Sequence, residues 1–259
     1  MHIEIVGTGR AAGALALASH RSGHTITGVR GRSDEAVTRI AALVGSTEGH
    51  PDLRLVAVSD GAIPVLAEQL VSADPIPTVH LSGSVSIHSL DPLATIGIPV
   101  GSLHPLQTLP DAETGAANLA GAWMAVTATE PLASTLDEFA ESLGCRPFRL
   151  ADEDKVLYHA AASAASNYTN AALELAYRLM TAADVPFEST RPLVEAAIAN
   201  AYALGPMNAR TGPIARGDRE TVNRQMEAVD RVGVAEFIAF RSMTEAAITL
   251  SSMSQEQDQ

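Results

Sequence analysis

The sequence predicts an α/β fold: a doubly wound, mostly parallel sheet in the N-terminal half and an all-helical domain after it. Three observations predict it. A small-residue pattern, G-x-G-x-x-A from Gly7 to Ala12, follows an apolar run and opens a helix-like one. Strand-like and helix-like segments then alternate up to about residue 150. Beyond Asp152 the patterning is helical only, interrupted at Pro186, Gly205-Pro206 and Gly212-Pro213.

Each element has a local reason. Ile3-Glu4-Ile5-Val6 reads as a strand, Gly7-Thr8-Gly9 as a tight turn, and Arg10 to Leu17 as a helix. Gly7 allows the turn, Gly9 lets a pyrophosphate approach the backbone, and Ala12 lets the helix pack close to the strand. The helix start, with Thr8, Arg10 and Ala11 around it, offers free N–H groups and a positive dipole end to phosphate. Thr25 to Val29 reads as the second strand and Asp34 to Val44 as a helix. Leu53 to Val58 is an apolar run ending at Ser59-Asp60, and Ile63 to Leu70 has helical period. Thr78 to Leu81 ends at Ser82-Gly83, and Ile98 to Ser102 and Trp123 to Thr127 are further strands. Such alternation implies parallel βαβ units, here a Rossmann-type dinucleotide-binding domain over 1–150.

The helical domain spans 151–253. Asp152 to about Ala183 reads as one long helix closed by Pro186, and Thr190-Arg191-Pro192 opens the next with proline at an early position. A loop carrying Gly212-Pro213 and Gly217-Asp218 precedes helices at Glu220 to Arg231 and Ala235 to Leu250, and 254–259 read as a disordered polar tail. The long helix carries Ala160, Ala161, Ala162, Ala164, Ala165, Ala171 and Ala172. Small residues permit close helix approach, and a domain this small predicts that part of their burial comes from a second copy, a homodimer.

Composition narrows the function classes. A net charge of −13 disfavours nucleic acid and anionic membrane surfaces. No apolar run approaches the ~20 residues of a membrane span. Cys145 is the lone cysteine, so no disulfide forms within the chain and a cytoplasmic location is expected. The first strand begins almost at once, so no signal peptide is expected. The eight histidines show no metal-binding spacing, so no metal is expected.

The second strand is followed by Arg30-Gly31-Arg32-Ser33 rather than an acid. An acid there binds a ribose hydroxyl, whereas two guanidiniums and a hydroxyl suit a 2′-phosphate. Asp34 fits as the helix cap. The predicted cofactor is therefore NADP(H), held by Gly7, Thr8, Gly9, Arg10, Ala11, Ala12, Arg30, Arg32 and Ser33, with Ser59, Ser82 and Gly83 further along the crevice.

Of the 17 basic side chains, Lys155 alone is lysine. Lysine, unlike arginine, can cycle through a neutral amine, so Lys155 is a candidate general acid. His159 lies four residues on, along the same helical face. Ser166 falls near that face and Asn167 one position round, which makes a polar track along an alanine-rich helix. The plain alternative is a surface ion pair of Lys155 with Glu153 or Asp154. His104, in Ser102-Leu103-His104-Pro105-Leu106-Gln107-Thr108, sits where loops line a ligand crevice and is a second candidate acid. Arg216, on the loop Gly212 to Asp218, is a candidate clamp for a substrate carboxylate; Ser166 is a second candidate substrate ligand.

Together Gly7 to Ala12, His80-Leu81-Ser82-Gly83, Ser102 to Thr108, Lys155 to Asn167 and Thr211 to Asp218 resemble the Rossmann-like proteins that carry a helical "domain of unknown function 2520". The resemblance spans nearly the whole chain. It implies the two-domain arrangement of 6-phosphogluconate dehydrogenase and similarity to ketopantoate reductase, pyrroline-5-carboxylate reductase and deazaflavin-dependent NADP reductase. It further implies an NADP-dependent oxidoreductase with a dimerising helical domain. Ketopantoate reductases place an asparagine four residues after the lysine; here that position is His159. The leading expectation is reduction of a small 2-keto acid, ketopantoate first. The alternatives are reduction of a cyclic imine or a deazaflavin, or a non-catalytic NADP(H) sensor.

Overall fold

The computed structural model describes residues 1–257, with side chains described to residue 250. It divides into two compact units, Met1–Ser166 and Asn167 onward. The sequence puts the boundary at 150, where strands stop. The first unit extends further because the helix beginning at Lys155 packs on the sheet.

The first unit runs β1 (His2–Val6), α1 (Arg10–Arg21), β2 (Thr25–Arg30), α2 (Asp34–Val44), β3 (Leu53–Val56), α3 (Ile63–Leu70), β4 (Thr78–His80), α4 (Asp91–Thr95), β5 (Val100–Pro105), α5 (Ala112–Leu119), β6 (Trp123–Ala128), α6 (Leu132–Ser142) and β7 (Arg146–Arg149). The sheet order is β2-β1-β3-β4-β5-β6-β7. Neighbours are parallel except β5 and β6. This is the doubly wound, mostly parallel sheet that the alternation predicts. Strand order reverses between β1 and β3, and ligands of such sheets bind in the crevice outside the strand ends at that point.

Parity along the strands sorts the core into two layers. Ile3, Ile5, Leu53, Leu55 and Leu103 pack with Leu15 of α1 and Phe139 of α6. Val56, of the other parity, joins Ile63, Ala67 and Leu70 of α3 and Leu93 of α4. α1 and α5 approach closely because glycine faces alanine on both. A Cβ on Gly13 would lie 3.2 Å from that of Ala112, and one on Gly115 only 2.7 Å from that of Ala14.

One row across the sheet is charged. Glu4 pairs in register with Arg54, and Arg54 with Thr78. Arg54 is fully buried; its Nε donates to Glu4 and its Nη1 to Thr78 Oγ1 at 3.4 Å. Arg30 closes on the other Glu4 oxygen at 2.6 Å.

The helical run that follows is not one uniform helix. A 3₁₀ turn (Asp152–Asp154) leads into α7 (Lys155–Ser163), then a π segment (Ala164–Tyr168), then α8 (Thr169–Ala182). α9 (Arg191–Leu204) carries proline in its first turn, as the sequence predicts. α10 (Gly212–Arg216) is a short helix where a loop is expected. Asp218 then caps α11 (Arg219–Asp230), accepting from the Thr221 N–H at 3.0 Å. α12 (Val234–Gln257) runs on into the expected tail, whose last residues, 258–259, lie outside the described ones. No described helix is long and apolar enough to cross a membrane.

Breaking a buried ion pair leaves an uncompensated charge, whereas replacing both partners can be nearly neutral. Arg54→Met is expected to destabilise the protein by about 3 kcal/mol, and Glu4→Leu with Arg54→Met to recover most of the loss. Urea unfolding of both variants checks this; equal losses would refute it.

Candidate functional site

The first part of the site is the turn after β1. Gly7 adopts φ +133°, and its N–H donates to the Arg30 carbonyl at 2.8 Å. A Cβ on Gly7 would stand 2.1 Å from the Ala57 carbonyl oxygen, so only glycine lets this turn close against the end of β3. Gly9 is the residue before α1, exposed and with open space where a Cβ would be. Arg10 is exposed beside it, and Ala12 is fully buried against the core. Thr8 lies against Gly31, where a Cβ would meet its methyl at 2.5 Å. The features together make a cradle with free helix N–H groups.

At the end of β2 the predicted roles shift. Arg30 is drawn back onto Glu4, while Arg32 is exposed. The cap of α2 is Ser33, not Asp34: the Ser33 Oγ accepts from the Ala36 N–H at 3.3 Å, and Asp34 stands in the first turn. The Ser33 side chain thereby satisfies an orphan helix donor and keeps its own O–H to donate. Ser59 precedes a 3₁₀ turn after β3 and is exposed.

The second part gathers where β4, β5 and α7 meet. Lys155 is only 1% exposed. Its Nζ donates to the Ser82 carbonyl at 3.0 Å and to Ser102 Oγ at 2.5 Å. The surface pair with Glu153 or Asp154 is thus not formed; the ammonium points into the unit. Burial pushes its pKa down to about 8, against the opposing pull of Asp152 and Asp60. Asp152 in turn accepts from the Ile87 N–H at 2.9 Å and from the Ser86 hydroxyl at 2.5 Å, tying the start of the helical run to the segment after β4.

Three histidines surround this lysine. His80, on β4, accepts on Nδ1 from the Ser82 N–H at 3.2 Å. Burial, then the Lys155 charge, lower its pKa to about 4. His104, on β5, is lowered to about 4 by burial, then by His159 and Lys155. Its Nδ1 is 2.7 Å from the Tyr158 hydroxyl. The His159 ring stands edge-on to that of His104, with centroids 5.6 Å apart. Both imidazoles flank Gly83. Among the described residues no cluster fit for a metal ion occurs.

The structure therefore brings together Ser82, Gly83, His104, Lys155 and His159. Ser166 and Asn167 fall in the π segment, where hydrogen bonds reach five residues instead of four. The face extrapolated from Lys155 at 3.6 residues per turn no longer holds there. Asn167 opens the second unit, and Arg216 is an exposed residue ending α10. Tyr158, Asp152 and the Glu4–Arg54 pair are functional or structural groups that the sequence alone does not single out. Tyr158 carries a usable signal: it stands three residues after Lys155, and helical neighbours lie three as well as four residues apart.

Comparison with known proteins follows the same outline. Residues 122–246 match the family model described as Domain of unknown function (DUF2520). No curated protein sequence matches the chain. A Bacteroides fragilis structure, provisionally named an NADP oxidoreductase, is 22% identical with a TM-score of 0.81, covering 96% of this chain and 98% of its own. The pyrroline-5-carboxylate reductase of Streptococcus pyogenes is 18% identical with a TM-score of 0.62, covering 96% and 98%. The imine reductase of Streptomyces aurantiacus is 14% identical with a TM-score of 0.70, covering 95% and 93%. At these identities the likeness establishes a shared fold.

Gly7→Ala is expected to destabilise the protein by about 2 kcal/mol or more, since it combines a left-handed φ with a backbone collision. Gly9→Ala, with open space, should change stability by less than about 0.5 kcal/mol. Equal melting temperatures for the two variants would refute the assignment of Gly7.

Proposed function

We propose that the protein is an NADP(H)-dependent oxidoreductase that reduces a small carbonyl compound, a 2-keto acid with ketopantoate as the first candidate. One observation carries this reading. A buried lysine of lowered pKa stands among neutral imidazoles in the same compact unit as a glycine turn shaped for a pyrophosphate. Gly7, Gly9 and the first turn of α1 fit the pyrophosphate, and Arg32 with the Ser33 O–H fits a 2′-phosphate. Arg30, held by Glu4, supports that edge. The bound cofactor supplies the hydride.

The residues of the chain would manage the proton. Lys155 spends two of its three N–H bonds on Ser82 and Ser102, and the third is the one to give to the oxygen that gains charge. His80 and His104, neutral at ordinary pH, add no competing cation. Their neutrality leaves Lys155 as the cation facing Asp60 and Asp152 in this cluster.

A second reading is reduction of a cyclic imine, favoured by the fold shared with a pyrroline-5-carboxylate reductase and an imine reductase. An imine asks less of a proton donor. The test is NADPH oxidation with ketopantoate and with 1-pyrroline-5-carboxylate, NADH serving as control cofactor. For ketopantoate, Lys155→Ala should lower kcat by about 100-fold or more. The wild-type rate should hold below pH 8 and fall above it, because the acid form is lost as pH rises through the lowered pKa of about 8. Turnover of the imine alone, indifferent to Lys155→Ala, would replace the first reading with the second. NADPH binding with no turnover of either would point to a sensor.

The helical unit supports a homodimer. None of the fourteen residues of α9 is buried, though Leu193, Ile198, Tyr202 and Leu204 line it. Leu193 is 71% and Tyr202 89% exposed. Leu193 and Leu204 stand on one side of the helix and Ile198 and Tyr202 on the other; a helix of this length is marginal alone in water, and large exposed apolar groups on both its sides ask for a partner. A second copy, bringing the same side chains, is the occupant that supplies a matching apolar surface. Sedimentation should give the mass of two 27.0 kDa chains. Leu193→Asp with Tyr202→Asp should give one; a monomeric wild type at micromolar concentration would refute the proposal.

A further inference from the structure

Arg54 is fully buried, and stability alone does not call for an arginine there. Apolar residues of similar volume in place of a buried ion pair are often neutral or stabilising. The guanidinium is also imperfectly satisfied: its Nη2 is buried with no hydrogen-bond partner among the described residues. What Arg54 does supply is a positive charge at one oxygen of Glu4.

That carboxylate is shared. Arg54 Nε donates to Glu4 Oε2, and Arg30 Nε closes on Oε1 at 2.6 Å. The three side chains come from three adjacent strands, β2, β1 and β3. Across β1 and β2, Arg30 stands opposite Val6, and Gly28 opposite Glu4. Residues 28 and 30 share a face of β2, and Gly28 puts no side chain between Arg30 and Glu4. A Cβ there would be 3.9 Å from Oε1.

The charges decide what this edge of the sheet offers a ligand. Glu4 with Arg30 alone would be neutral, and a phosphate at the end of β2 would meet a carboxylate as well as a guanidinium. With Arg54 present the trio keeps one net positive charge. The exposed member is Arg30, whose side chain is 58% exposed. Its contact with Glu4 is made through Nε, and a guanidinium has further donors on Nη1 and Nη2. Arg30 also stands at the turn shaped for a pyrophosphate, its carbonyl accepting from the Gly7 N–H at 2.8 Å.

We propose that Arg54 is a specificity-determining residue for a dinucleotide bearing a 2′-phosphate. It takes up the charge of Glu4, so that Arg30 acts as a cation toward the phosphate, and it touches no ligand itself. The identity of the ligand rests on the NADP(H) reading.

The experiment is calorimetric titration of the full-length protein and its variants with NADP⁺ and with NAD⁺, which needs no turnover. The quantity read is the ratio of the two Kd values, and the wild type should prefer NADP⁺. Arg30→Met and Arg54→Met should each lower that preference about tenfold, with NAD⁺ affinity changed less than about twofold. Glu4→Gln separates charge from stability. It leaves Arg54 uncompensated and should destabilise as Arg54→Met does, yet it should keep the preference or raise it. Arg54→Lys and the pair Glu4→Leu with Arg54→Met should keep the preference, because Arg30 keeps its surplus charge in both. Should Arg54→Met fail to fold, that pair decides, and loss of preference in it overturns the proposal. Equal loss of both affinities in Arg54→Met marks a purely structural role and overturns it. So does a preference that survives Arg54→Met or Arg30→Met, or a wild type that binds both dinucleotides alike; dinucleotide binding then stands without it. A wild type that binds neither removes the cofactor reading and the proposal together.

Discussion

The buried ammonium of Lys155 joins the parts from which the site is made. It comes from the first residue of α7, reaches the carbonyl that ends the β4 segment and the hydroxyl of Ser102 on β5, and so fixes three chain segments at one point. Removing such a group leaves a carbonyl and a hydroxyl unsatisfied in the interior. Its position in sequence matters as much as its charge. By standing at the N-terminus of α7, the lysine sets the rotation of that helix, and the rotation decides that Tyr158 and His159 face His104. The proposed proton chemistry and the geometry of the cluster thus have one origin.

Much of this is legible in the residues. The turn at Gly7 announces itself because a strand, two glycines and a helix follow in a spacing that few other structures require. The alternation up to β6 gives the layers, and its loss after residue 150 gives the change to helices. Lys155 stands out because every other cation is arginine, a compositional contrast rather than a motif. What stays hidden has physical reasons. β7 reads Arg-Pro-Phe-Arg, with one strongly apolar residue, so an edge strand looks like a loop. The reversal of direction between β5 and β6 is a long-range choice that no local pattern records. Glu4 and Arg54 each interrupt an apolar strand and look like solvent-facing positions. Only the register that sets them side by side shows that they bury each other.

The π segment illustrates a further limit. A run of alanine, serine, asparagine and tyrosine continues the helical composition without a breaker, so periodicity extends the face of Lys155 as far as Ser166. One widened turn rotates everything after it. The same segment contains the boundary between the compact units, 16 residues beyond the change of pattern at 150. Composition reports where strands stop; compactness reports where packing changes allegiance, and here the two are separated by the 3₁₀ turn, α7 and the start of the π segment.

The contact of Thr8 with Gly31 has a structural corollary. Position 31 lies just past the end of β2, where an acidic side chain would stand in a fold selecting a free ribose. In this chain that place is filled from the other side by the methyl of Thr8, 2.5 Å from where a Cβ would begin. Residues 8 and 31 are therefore coupled: a side chain at 31 requires the Thr8 methyl to shift or turn away, so a change at this edge is felt in the turn after β1 as well.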